Sequence, residues 1–76
     1  RVYLEIQGHT DSTGSEKWNM ELGGLRADSV RRYLNQRGIP LFAISVISYG
    51  ESKPIADNSS RDGRSQNRRV LVRVLE

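Results

Sequence analysis

Cysteine is absent from this 76-residue chain, and histidine occurs once, as His9. Without thiols there is no disulfide framework and no thiolate metal site, and a single imidazole cannot complete the common zinc sets, so no metal is expected. No stretch approaches the ~20 consecutive apolar residues that span a bilayer. The start, Arg1-Val2-Tyr3-Leu4, falls inside an alternating pattern with no signal-peptide layout, so the chain reads as a soluble piece of something longer. The sequence also lacks G-x-S-x-G, a phosphate loop and a His/Cys pair. Neither enzymatic activity nor a cofactor is expected, and binding is the more natural business of the chain.

A chain this short forms one domain at most and buries only about 60% of its unfolded surface. Its net charge of +3 is unevenly placed. Residues 1 to 60 carry seven Lys/Arg against seven Asp/Glu, whereas residues 61 to 76 carry five arginines against Asp62 and Glu76. Such a basic end suits phosphate, an acidic polymer or a carboxylate, and charge alone does not choose among them.

Val2, Leu4 and Ile6 alternate with Tyr3, Glu5 and Gln7, which predicts a strand with one buried face, ended by Gly8. Ser15 followed by Glu16 marks a helix start. The apolar positions Trp18, Leu22, Leu25, Val30, Tyr33 and Leu34 continue the helix to about Arg37, where Gly38 and Pro40 stop it. Gly23-Gly24 inside that span predicts a bend or fraying, since each glycine costs about 1 kcal/mol relative to alanine. Leu41 to Tyr49 predicts a second strand, Glu51 to Ser60 a loop, Arg61 to Gln66 one short helical turn, and Val70, Val72 and Val74 a third strand. One helix and its loops are expected to cover three strands on one face. The other face is expected to carry Tyr3, Glu5, Arg69 and Arg73, with an apolar patch at Leu71 and Leu75.

Two segments, Gly8-His9-Thr10-Asp11-Ser12-Thr13-Gly14 and Asn67-Arg68-Arg69-Val70, frame the helix that carries Arg26-Ala27. Asp11, directly after the first strand, is either a turn or cap residue or an acceptor for an ammonium group. Arg26, beside the apolar stripe, is either a snorkelling side chain or a two-pronged grip on a carboxylate. Arg68 and Arg69 point to opposite faces of a strand, so at most one of them shares a pocket with Asp11. His9 fits a hydrogen-bonded structural role better than a metal or base role.

Gly8-His9-Thr10-Asp11, Asn19, Leu22, Arg26-Ala27, Val30, Tyr33-Leu34, Gly38-Ile39, Tyr49-Gly50-Glu51-Ser52-Lys53-Pro54 and Asn67-Arg68-Arg69-Val70 together resemble the OmpA-like C-terminal domain over the whole chain. Peptidoglycan-associated lipoproteins and the periplasmic domains of flagellar stator proteins share that domain. The resemblance implies an α+β two-layer sandwich, truncated to β-α-β-(short α)-β, with a mixed sheet and one main helix on one face. The family's first strand and helix are missing, and its sheet order 1-4-2-3 then leaves the C-terminal strand at an edge. It also implies noncovalent attachment to peptidoglycan through diaminopimelate, in the periplasm of a Gram-negative-type cell, at the outer membrane or cell wall. Any membrane attachment would come only through other parts of the parent protein.

By position Asp11 matches the family's ammonium-binding Asp and Arg26 its carboxylate-binding Arg. Thr10, Asn19, Asn67 and Arg68 match the pocket wall or its surroundings. One departure is Gly23, where the family commonly has Ser. Exposed edges pair readily, so a homodimer through the last strand is also expected. Two other readings compete: a nucleic-acid binder using Arg61 to Arg73, disfavoured because no aromatics interleave the arginines, and a protein-binding scaffold using the edge and apolar patch.

Overall fold

The computed structural model describes residues 3 to 76; Arg1 and Val2, and with them the first position of the predicted alternation, lie outside the described residues. The chain runs as β1 (Tyr3–His9), α1 (Glu16–Gln36), a 3-10 turn (Leu41–Ala43), β2 (Ile44–Gly50), α2 (Arg61–Asn67) and β3 (Arg69–Leu75). The strands lie in the order β2-β1-β3, with β1 parallel to β2 and antiparallel to β3. The parallel pair needs a crossover, and α1 supplies it. The result is the mixed-sheet α+β arrangement that the sequence implied, with the C-terminal strand beside the first.

Local chemistry sets the helix ends. Ser15 caps α1 by accepting from the Trp18 N–H at 3.0 Å, with Glu16 favourably placed in the first turn. At the other end Gly38 has φ +105°, and the Ile39 and Gly38 N–H groups return to the Leu34 and Asn35 carbonyls. That left-handed residue and its paired return bonds stop the helix. Ser60 caps α2 through the Gly63 N–H at 2.9 Å, and α2 reaches one residue beyond the predicted turn, to Asn67.

Four expectations need correction. β1 does not end at Gly8 but continues to His9, because Gly8 marks a close approach and not a turn. A Cβ at Gly8 would overlap the Gly23 carbonyl of α1. For the same reason α1 neither bends nor frays at Gly23-Gly24 but runs unbroken: Gly23 is buried against the strand, and packing outweighs propensity. The second strand starts at Ile44, since Pro40 opens a 3-10 turn closed by an Ala43 N–H bond to its carbonyl. Finally, α1 lies over β1 and β2 and leaves the end of β3 bare.

The core consists of Ile6, Ala27 and Ile44, with Val30, Leu34, Ile39, Val46 and Val70 packed around it. Val72 and Val74 share the helix side of the sheet with Ile6 and Leu4 by register, yet they remain 49% and 54% exposed. A helix about 10 Å across covers two strands spaced about 4.8 Å apart, not three. Trp18, Leu25 and Tyr33, counted in the apolar stripe, are exposed instead. The working face of α1 is Gly23, Ala27, Val30 and Leu34, where small residues let the helix sit close to the sheet. On the opposite side of the sheet Leu71 is exposed, as expected of an apolar patch there. Among the described residues no helix is long and apolar enough to cross a membrane.

Candidate functional site

The end of β1 delivers His9, Thr10 and Asp11 to the mouth of the sheet, and pairing continues one step further through a Thr10 N–H bond to the Gly50 carbonyl at 2.9 Å. Thr10 and Asp11 are both buried. The Thr10 hydroxyl donates to the Asp11 carbonyl at 2.8 Å. Asp11 Oδ1 accepts from the Thr13 N–H at 2.8 Å, closing an Asx turn. Its other oxygen, Oδ2, accepts from Arg68 Nη1 at 2.7 Å. Burial by itself would raise the Asp11 carboxyl. The Thr13 backbone bond, the Arg68 guanidinium and the Thr13 hydroxyl outweigh burial and hold the group below the ordinary carboxylate range.

Arg26 comes from the middle of α1, and its Nη1 is buried with no hydrogen-bond partner. Thr10, Asp11, Thr13, Trp18, Asn19, Leu22, Arg26 and Arg68 line one cleft of about 190 Å³. A wider, more open groove of about 460 Å³ adjoins it, sharing Arg26 and Arg68 and adding Ser29, Arg69 and Val70. Asn19 is almost fully buried at the floor of the cleft, where its Nδ2 donates to Glu51 Oε1 at 2.9 Å and ties α1 to the loop after β2.

Five of the six residues singled out in the sequence (Thr10, Asp11, Asn19, Arg26 and Arg68) therefore meet in one cleft. Asn67 does not line it. Its Oδ1 accepts from the Ile55 and Ala56 N–H groups at 2.8 and 3.1 Å. Its Nδ2 donates to the Ala56 carbonyl at 3.0 Å and to Asn58 Oδ1 at 2.7 Å. Asn67 thus clasps the preceding loop and fixes the backbone from which Arg68 springs.

Arg68 and Arg69 diverge as a strand requires. Arg68 reaches Asp11, while Arg69 donates to the Asn67 and Lys53 carbonyls at 3.2 and 2.9 Å. His9 is buried on the face away from α1, stacked on Tyr49 with ring centroids 5.3 Å apart, and its Nε2 lies 3.4 Å from Gln7 Oε1. Its Nδ1 has no partner. Burial first, then the nearby Arg69 and Lys53 charges, push the imidazole below its ordinary value.

Thr13, Trp18 and Leu22 are cleft residues that site reasoning on the sequence missed. The spacing held a signal for two of them: Trp18, Leu22 and Arg26 recur every four residues and so form one ridge along α1. That ridge reads as core until the sheet is known to lie under Gly23 and Ala27 instead.

Comparison with known proteins adds a consistent set of relatives. A peptidoglycan-associated lipoprotein from Buchnera aphidicola subsp. Baizongia pistaciae is 48% identical over 69 residues, covering 91% of this chain and 40% of the lipoprotein. Outer membrane porin F from Pseudomonas fluorescens is 45% identical over 71 residues, covering 93% of this chain and 22% of the porin. Among solved structures, the peptidoglycan-associated lipoprotein from Burkholderia pseudomallei superposes with a TM-score of 0.94 at 34% identity, covering 97% of this chain and 63% of that one. The C-terminal domain of Helicobacter pylori MotB gives 0.92 at 37% identity, covering 100% of this chain and 59% of that one. The chain thus spans less than half the length of these two sequence relatives. The OmpA family matches residues 1–68, and with β1, α1, β2 and α2 all inside that match, the chain belongs to the OmpA family.

Proposed function

We propose that this chain is one peptidoglycan-binding module that attaches its parent protein noncovalently to the cell wall by gripping diaminopimelate in the peptide stem. The observation that carries the reading is the orphaned Arg26 Nη1 in a cleft that also holds the Asp11 carboxylate. A buried donor without a partner costs about 1–3 kcal/mol, and a ligand carboxylate, met by a small turn of the side chain, supplies the missing acceptor. Asp11 is held ionised, and its two oxygens, although bonded by Thr13 and Arg68, offer about four lone-pair sites, which leaves room for a ligand ammonium. The end of the diaminopimelate side chain carries both groups on one carbon.

The relatives named for peptidoglycan and the outer membrane support this reading and a place in the periplasm of a Gram-negative-type envelope. They also support a binding role without catalysis. The basic end is less suited to nucleic acid than its charge suggests. Arg68 is paired with Asp11, Arg69 bonds two carbonyls, and Arg64 bonds the Asn58 carbonyl, so these guanidiniums already have partners within the chain.

The test is calorimetric titration with a diaminopimelate-containing stem peptide and with its lysine counterpart. The lysine peptide lacks the carboxylate and should bind on the order of 100-fold more weakly, as should the Arg26→Ala and Asp11→Asn variants with the diaminopimelate peptide. Equal affinity for the two peptides would overturn the assignment.

A further inference from the structure

Arg26 and Arg68 line both the cleft and the adjoining groove, while within the cleft the ridge of α1 runs back through Leu22 to Trp18. Trp18 lies eight residues before Arg26, about 12 Å along the helix axis. It is 53% exposed, although it is the chain's only tryptophan and opens the helix beside its cap. Folding explains the position of its backbone, whose N–H meets Ser15, but not the choice of a large indole left half in water at the rim of a cleft. Exposed aromatics at such rims offer a flat apolar face at small entropic cost, and they recur at binding sites.

We infer that Trp18 is a second contact for the ligand, a platform on which the peptide backbone of the stem lies once its zwitterionic end is held by Asp11 and Arg26. This rests on the reading proposed above and adds to it which part of the ligand gives selectivity for a stem over a free amino acid. The two charged groups of the zwitterion share one carbon and cannot reach from Arg26 to Trp18. An extended peptide advances about 3.5 Å per residue, so the rest of the diaminopimelate residue and a neighbouring stem residue cross the gap. Leu22, half-buried midway along the ridge, provides an apolar floor for the intervening carbon chain. The glycan strand, attached further along the stem, lies beyond the indole.

Trp18 reports on its own occupancy. Titration with a diaminopimelate-containing tetrapeptide should shift tryptophan emission to shorter wavelength, whereas free diaminopimelate, even at saturation, should leave it in place. In calorimetry Trp18→Ala should bind the tetrapeptide about 10-fold more weakly than the parent chain, bind free diaminopimelate equally well, and melt at nearly the parent temperature, with Trp18→Phe close to the parent. The inference fails if Trp18→Ala binds both ligands as the parent does, if it loses both equally, or if its loss appears only with a glycan-linked peptide. The two proposals fail separately. Binding that Arg26→Ala abolishes and Trp18→Ala leaves intact removes only the platform, while a parent chain that binds no diaminopimelate ligand removes both.

Discussion

Asp11 closes a local turn, one of the two roles that its sequence context left open, and it also pairs with Arg68. Its carboxyl is held below the ordinary value. The ionised form therefore stabilises the fold above about pH 3.9, and that contribution disappears as pH falls through the lower, folded-state value. His9 is also depressed, chiefly by burial. Its neutral ring suits the fold, whereas the unfolded chain takes up a proton from about pH 6.5 downward, so stability should begin to decline there. Thermal melts taken from neutral pH into the carboxylate range should show a first decline that His9→Gln removes and a second that Asp11→Asn removes. A melting temperature that rises between pH 7 and pH 5 would contradict the His9 assignment. Asn67 yields a different prediction. Truncation to alanine strips partners from two loop N–H groups and a carbonyl and should cost about 2–3 kcal/mol in denaturant unfolding. It should also weaken ligand binding by loosening Arg68, although Asn67 does not line the cleft.

At the scale of elements, the crossing of β1 and α1 depends on two glycines. A side chain at Gly8 would run into helix backbone, which cannot yield, whereas one at Gly23 would first meet the Ser48 hydroxyl, which can rotate at the loss of its 2.6 Å bond to the Met20 carbonyl. Gly8→Ala should therefore cost about 3 kcal/mol or more and Gly23→Ala clearly less, as read by urea midpoints. Equal costs would mean that the helix lifts from the strand at either position. This crossing also shows where the sequence was legible and where it was not. The span of α1 could be read from Ser15, Glu16 and Gly38 because caps are local chemistry. Gly8 looked like a strand end and Gly23-Gly24 like a weak point, because the reason for a glycine lay on a different element in each case. Leu41 to Ala43 had strand composition, but Pro40 set a tight turn there that composition does not register.

For the whole molecule, the site was more legible than the packing around it. Asp11, Arg26 and Arg68 each had an ordinary structural reading and were singled out together through the resemblance to the OmpA-like domain. Trp18 and Leu22 were not, because their spacing is equally that of a core stripe. Only the sheet's position under α1 decides between those roles. The bare helix side of β3, with Val72 and Val74 exposed, sits at an edge with one neighbour among the described residues. Free edges and apolar faces promote pairing, so the chain by itself should self-associate. Val72→Lys should lower its sedimentation coefficient at high concentration to that of a monomer. A parent chain that is monomeric at every concentration would remove the expectation of a homodimer through this strand.

The bond between Arg68 and Asp11 joins residues 57 positions apart, so one side of the cleft exists only when β1 and the segment after α2 are brought together. A copy clipped in the Glu51 to Ser60 loop, and so free to lose α2 and β3, forfeits that ion pair. Any ligand that binds the joined cleft alone favours the closed chain in turn by mass action.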